Sequence, residues 1–343
     1  MEFIVDYGLF LAKVVTFVIA VLAVVIAAMA LSARGRKSGK GHLEVKSLNR
    51  EYARMKDALT DAMLAPGAKK AVLKERHRLE KLRRKERRRQ EGKRLFVLNF
   101  HGDLRASATR ALREEVTAVL AAARAGDEVV VRLESGGGVV HGYGLAASQL
   151  DRIRKGGIPL TVCIDKVAAS GGYMMACVAE RIIAAPFAFV GSIGVVAQLP
   201  NFHRLLKKHD VDYEVLTAGE YKRTLTVFGE NTDKGREKFL DDLEQTHDLF
   251  KSFVAEHRQA VDIDAIATGE VWLGTRALEL GLVDEVMTSD EYITARFDSA
   301  EIFEISYAHK KSLQEKVGFA AEESLDGLVL RWVKRLAGPG RHM

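Results

Sequence analysis

The hydrophobic pattern divides the chain before any motif is considered. Val14 to Leu31 is a run of 18 uncharged residues interrupted by a polar group only at Thr16, and Leu9 to Ala12 extend it beyond Lys13. At about 1.5 Å per residue, a helix of this length covers most of a hydrocarbon core roughly 30 Å thick. The run is long for a signal peptide and is preceded by the acidic Glu2 and Asp6, so it reads as a retained anchor. From residue 95 the pattern changes to short apolar runs at 95–100, 128–133, 158–165 and 181–184, alternating with helical spacing at 107–124, 144–155 and 169–179. Strands alternating with helices predict an α/β domain with a mostly parallel sheet and crossover helices. The active site of such a sheet is expected at the carboxyl ends of the strands. Helical spacing also marks 47–64, which Pro66-Gly67 ends, and 228–260.

Charge sharpens this division. The whole chain of 343 residues has 52 Lys and Arg against 46 Asp and Glu. The stretch from Arg34 to Arg94 alone holds 22 basic and 8 acidic residues, a charge of +14, which leaves 1–33 at −1 and 95–343 at −7. The basic stretch lacks interleaved aromatics for stacking bases, which disfavours nucleic acid as a partner. A linker beside anionic headgroups explains the charge better. Arg34, Arg36, Lys37 and Lys40 follow the span, so the positive-inside rule places the bulk of the protein in the cytoplasm. The expected order is a transmembrane anchor at 1–33, a basic linker at 34–94, a catalytic domain at 95–300 and a C-terminal extension at 301–343. Within the extension, Leu325, Leu328, Val329, Trp332, Val333 and Leu336 fall on one helical stripe.

Two cysteines cannot build a disulfide scaffold or a thiolate zinc module, and Cys163 and Cys177 read as core thiols. No ligand cluster suggests a metal, and no cofactor is expected. The chemistry gathers instead at two turns. Glu134-Ser135-Gly136-Gly137-Gly138 follows one strand, and Lys166-Val167-Ala168-Ala169-Ser170-Gly171-Gly172-Tyr173 follows another. Consecutive glycines let backbone N–H groups approach a ligand, and a serine opening a helix can expose its Oγ beside free amides. A nucleophile and oxyanion donors could come from these turns, although Ser170 could equally be a helix cap. Lys166 and His141 are possible bases, and none of the ten histidines pairs with an acid at a suggestive spacing.

The two turns are followed by Val190-Gly191-Ser192-Ile193-Gly194 and Ala218-Gly219-Glu220-Tyr221-Lys222. Together, over roughly residues 95–290, these four segments resemble the signal peptide peptidase A family of serine peptidases. With one N-terminal anchor, the chain is similar to the membrane-anchored bacterial members. The resemblance implies a ClpP/crotonase-like fold, with Ser170 as nucleophile, Lys222 as general base and Ser192 holding the lysine. Gly137 and Gly171 would supply the oxyanion amides. It also implies a single-pass protein of the bacterial inner membrane, assembled as a homo-oligomeric ring and cleaving hydrophobic peptides or membrane-protein fragments. Gly136 stands where the family commonly has proline, which loosens the turn. A lysine accepts a proton only when neutral, so Lys222 should be desolvated and Glu220 should point away from it. The alternatives are a crotonase-like acyl-CoA enzyme, which would not need Ser170, and a membrane scaffold without catalysis.

Overall fold

The computed structural model describes residues 41–64 and 92–308, with isolated helical residues at 13–17, 20, 72, 74 and 78. Strand β1 (His42–Ser47) leads into helix α1 (Leu48–Met63). Strand β2 (Arg94–Gly102), helix α2 (Thr109–Ala122), β3 (Glu128–Ser135), α3 (Val140–Lys155) and β4 (Leu160–Ile164) then repeat the strand–helix alternation read from the sequence. The short β5 (Val167–Ala169), α4 (Gly171–Ala176), β6 (Arg181–Ala184) and β7 (Phe189–Gly191) carry the site. Next come α5 (His203–Lys208), α6 (Asp233–His257), α7 (Ile263–Ile266), β8 (Val271–Leu273), α8 (Gly274–Glu279), β9 (Glu285–Val286), α9 (Ser289–Thr294) and β10 (Glu301–Ala308).

The main sheet has the order β1-β10-β2-β3-β4-β6-β9, and every registered pair from β10 to β9 is parallel. A parallel sheet must be covered on both faces, and the strand sequences supply apolar side chains to both. Val129, Val131 and Leu133 of β3 join Leu98 and Phe100 on the larger core face, under Val116 of α2 and Leu150 of α3. Val130 points the other way, to Leu95, Val97, Cys163, Ile183, Tyr292 and Ile302. Burial pushes the thiols of Cys163 and Cys177 up, as expected of core cysteines.

Residues 43–307 form one compact unit, which takes in α1 ahead of residue 95 and most of β10 beyond residue 300. Leu48 of α1 is buried in the second core and Tyr52 packs on it, 5.7 Å from the ring of Phe297. Asn49 completes the dock: its Nδ2 donates to the carbonyls of Phe297 and Ala300 at 3.1 and 3.0 Å, and its Oδ1 accepts from Ile302 N–H at 2.7 Å. The helical spacing at 47–64 gave this helix, but not its docking, because the residues it docks against lie some 250 positions away in the chain. Asn49→Ala would leave three backbone groups near the start of β10 without partners. It should cost about 2–4 kcal/mol, read as a lower urea midpoint.

Among the described residues no helix is long and apolar enough to cross a membrane. The span expected at 14–31 lies outside them except for helical residues at 14–17 and 20, and the stripe at 325–336 lies outside them entirely.

Glu115 of α2 is buried and accepts the N–H of Tyr307 at 2.7 Å. Burial pushes its carboxyl up, opposed by that hydrogen bond. A carboxyl raised on folding contributes stability below its unfolded value, and this is lost as pH rises through the folded value. Glu115→Gln keeps the acceptor without the charge. Its melting temperature should exceed that of the parent protein by about 2–4 °C at pH 8, with the gap closing toward pH 4.

Candidate active site

The site forms where the small strand β5 bridges two layers. Its Ala168 pairs with Ser135 at the end of β3, and its other side runs parallel to β7 with Ala169 opposite Gly191. This register carries one residue further to set Ser170 beside Ser192. The 22 residues that separate the two serines are therefore a strand register. Ser170 N–H donates to Gly191 O at 2.7 Å, and Ser192 N–H donates to Glu270 O at 2.6 Å.

Both serines have left-handed backbones, with φ +51° at Ser170 and +54° at Ser192. Residues other than glycine rarely adopt this conformation, and such strain gathers at functional sites. The ψ of −120° at Ser170 turns the chain sharply from β5 into α4. Ser170 is thus at the N-terminus of a helix yet makes no side-chain cap hydrogen bond, which removes the helix-cap explanation. Its hydroxyl is left beside the first amides of α4.

The glycine loop packs directly on this turn. Gly137 has φ +85°, and a Cβ there would lie 2.7 Å from Gly171 N and 2.8 Å from Ser170 Cβ. Gly138 lies against Leu104, where a Cβ would meet the carbonyl oxygen at 2.1 Å. Gly136 has open space around it. The amides differ from the expected arrangement. Gly137 N–H donates to Ser135 Oγ at 3.1 Å, so it is engaged within the loop. Among the described residues, the N–H groups of Gly138 and Gly171 donate no hydrogen bond.

The other residues singled out from the sequence are placed as follows. Lys222 is exposed at the end of a turn closed by its N–H to Gly219 O at 3.2 Å, and its side chain has no hydrogen bond to Ser170 or Ser192. Its segment is tethered to the start of α6, where Gly235 sits against Thr224 O. Glu220 bonds Lys234 Nζ at 2.5 Å, and that ammonium holds its carboxyl below the usual range. The acid beside Lys222 is therefore occupied elsewhere, as expected. Lys166 is engaged by both oxygens of Glu134 at 3.0 and 3.1 Å, and His141 is exposed.

The sequence reading missed Tyr143, two residues beyond His141. It is fully buried behind the nucleophile's turn, with its hydroxyl 2.6 Å from Ser135 Oγ. A tyrosine on the inner face of a helix directly after the glycine loop was the available signal.

The chain resembles known proteins along most of its length. The model for peptidase family S49 N-terminal matches residues 2–150, and that for peptidase family S49 matches 152–302. A probable protease SohB of Haemophilus influenzae is 49% identical over 342 residues, with 96% of each chain covered. Another, from Buchnera aphidicola, is 44% identical over 333 residues, covering 96% of this chain and 98% of its own. A solved structure of a membrane-bound stomatin-specific protease with a substrate peptide is 13% identical, at a TM-score of 0.40, over 66% of this chain and 97% of that one.

Proposed function

Since the chain belongs to peptidase family S49 and is a serine-type protease, we propose that it hydrolyses peptides through a Ser170–Lys222 dyad with an acyl-enzyme intermediate. The observation that carries this reading is the juxtaposition of two strained serines and two uncommitted amides at one strand end. Ser170 Oγ attacks the scissile carbonyl carbon as its proton passes to Lys222 Nζ. The oxyanion is held by the amides of Gly171 and of the glycine loop, where Gly138 takes the place expected of Gly137. Collapse of the tetrahedral adduct breaks the C–N bond, and the lysine proton goes to the leaving amine. Water then attacks the ester, giving a proton to Lys222, and collapse of the second adduct breaks the C–Oγ bond as Lys222 returns that proton to Ser170 Oγ and the acid departs. Ser192 orients the lysine.

Lys222 must be shielded from water to act as a base. In the isolated chain it is exposed, as are the apolar Phe187, Val196 and Leu216 at 80–89%. A homo-oligomeric ring would cover such surface, and an extended apolar peptide or membrane-protein fragment would suit what remains in the cleft. The run at 14–31 anchors the protein in the bacterial inner membrane, with the catalytic unit cytoplasmic. A fluorophosphonate probe should label Ser170 stoichiometrically, as mapped by mass spectrometry, in full-length protein that cleaves an apolar peptide. Failure to label active protein there would remove the dyad and favour a mechanism without a serine nucleophile. A C-terminal reporter active only in the periplasm should stay silent.

A further inference from the structure

Behind the nucleophile lies a buried polar chain whose direction can be read from its hydrogen bonds. The hydroxyl of Tyr143, on α3, donates to the carbonyl oxygen of Asp103 at 2.7 Å. A carbonyl can only accept, so the single phenolic proton is committed there. Ser135 Oγ, 2.6 Å from Tyr143 Oη, must therefore donate to it. A lone pair of Ser135 Oγ accepts Gly137 N–H at 3.1 Å. The sequence of donors is Gly137 N–H to Ser135, Ser135 to Tyr143, and Tyr143 to Asp103. Every hydroxyl proton in it is used, and each hydroxyl both gives and receives. Burial pushes the phenol of Tyr143 up, opposed by its bond with Ser135, so it stays a neutral donor.

The surrounding backbone is shaped to admit this pair. A Cβ on Gly102 would lie 2.3 Å from Ser135 Oγ and 2.4 Å from Tyr143 Oη. On the other side, a Cβ on Gly171 would lie 2.4 Å from Tyr143 Cγ, and one on Gly172 would lie 2.5 Å from Ser135 O. The Ser135 hydroxyl thus holds the glycine loop by a hydrogen bond, while the ring of Tyr143 and the backbone of Ser135 lie against the first turn of α4. These are the two segments that carry the uncommitted amides of Gly138 and Gly171.

We infer that Ser135 and Tyr143 are positioning residues that fix the separation and aim of the two oxyanion amides, by drawing Gly137 N–H inward and backing Gly171. The inference rests on the acyl-enzyme reading and extends it to residues that touch neither substrate nor reacting atoms. The two hydroxyls should influence turnover more than substrate binding, because the oxyanion forms only in the transition state.

The test uses full-length protein in detergent with an apolar fluorogenic peptide, comparing the parent protein with Tyr143→Phe, Ser135→Ala, the double variant and Ser170→Ala. Tyr143→Phe keeps the ring that supports Gly171 and removes only the hydroxyl. Each single variant should lose about 10–100-fold in kcat with KM changed less than twofold, against the roughly 10²–10³-fold cost of deleting an oxyanion donor outright. The affinity for a peptide aldehyde should fall by the same factor as kcat/KM. The double variant should lose no more than the worse single, since either change breaks the same chain. Melting temperatures report folding separately, and Ser135→Ala serves if Tyr143→Phe is unstable. If Ser170→Ala is inactive while both single variants keep kcat within twofold, or raise KM alone, the positioning role is overturned and the dyad stands. If Ser170→Ala retains parental turnover, both readings fall.

Discussion

Ser170→Ala is expected to lower kcat/KM by at least ~10⁴-fold while leaving the melting temperature within about 2 °C of the parent protein. The loss is large because the covalent route disappears, and only the oxyanion amides and substrate binding are left to assist water. The fold should be indifferent, since the Ser170 hydroxyl makes no cap hydrogen bond and its backbone contacts, N–H to Gly191 and C=O from Met174, survive the substitution. Alanine inherits the strain of φ +51°. Ser170→Gly should be as inactive but melt a few degrees higher than Ser170→Ala, because glycine adopts that conformation freely and about 1–3 kcal/mol of strain is released. Lys222→Ala and Lys222→Arg should both approach the activity of Ser170→Ala, arginine being unable to shed a proton. Calorimetry with a continuous peptide assay checks all four, and substantial turnover by Ser170→Ala would discard the acyl-enzyme.

Much of the catalytic unit was legible because its signals are local. Unbroken apolar runs such as Val129-Val130-Val131 require a strand covered on both faces, and the helices between them set the parallel connection. The four motifs identified the family that the comparisons support, and their spacing carried geometry: 22 residues is the offset between β5 and β7. What stayed hidden depends on partners distant in sequence. The strand Glu301–Ala308 pairs with Arg94–Gly102, some 200 residues away, and Asn49 is explained only by Phe297, Ala300 and Ile302. The engagement of Gly137 N–H could not be read either, because glycine spacing does not say which amide turns toward Ser135. The exposure of Lys222 in the chain was likewise not legible, because motif spacing does not say what covers a side chain.

The glycine loop allows a sharper test, because neighbouring glycines make opposite demands. Gly137→Ala should cut kcat/KM by more than about 10²-fold and lower stability by about 2–4 kcal/mol. Its φ of +85° is unfavourable for any side chain, and the new methyl would meet Ala169 O, Gly171 N and Ser170 Cβ within 2.7–2.8 Å. Two of those atoms are backbone of the nucleophile's own turn, which cannot yield without moving Ser170 or the Gly171 amide. Gly136→Ala places the same methyl one residue earlier, in open space. It should keep activity within threefold and gain about 0.4–1 kcal/mol from a less flexible unfolded chain. Parallel urea titrations and peptide kinetics on the two variants separate a general need for flexibility from a specific need for close approach. Equal damage from both would mean that the loop must move, and would refute a preorganised oxyanion site. Damage confined to Gly137→Ala would show that the triple glycine serves proximity at that one residue, with Gly136 occupying the usual place of proline at little cost to the chemistry.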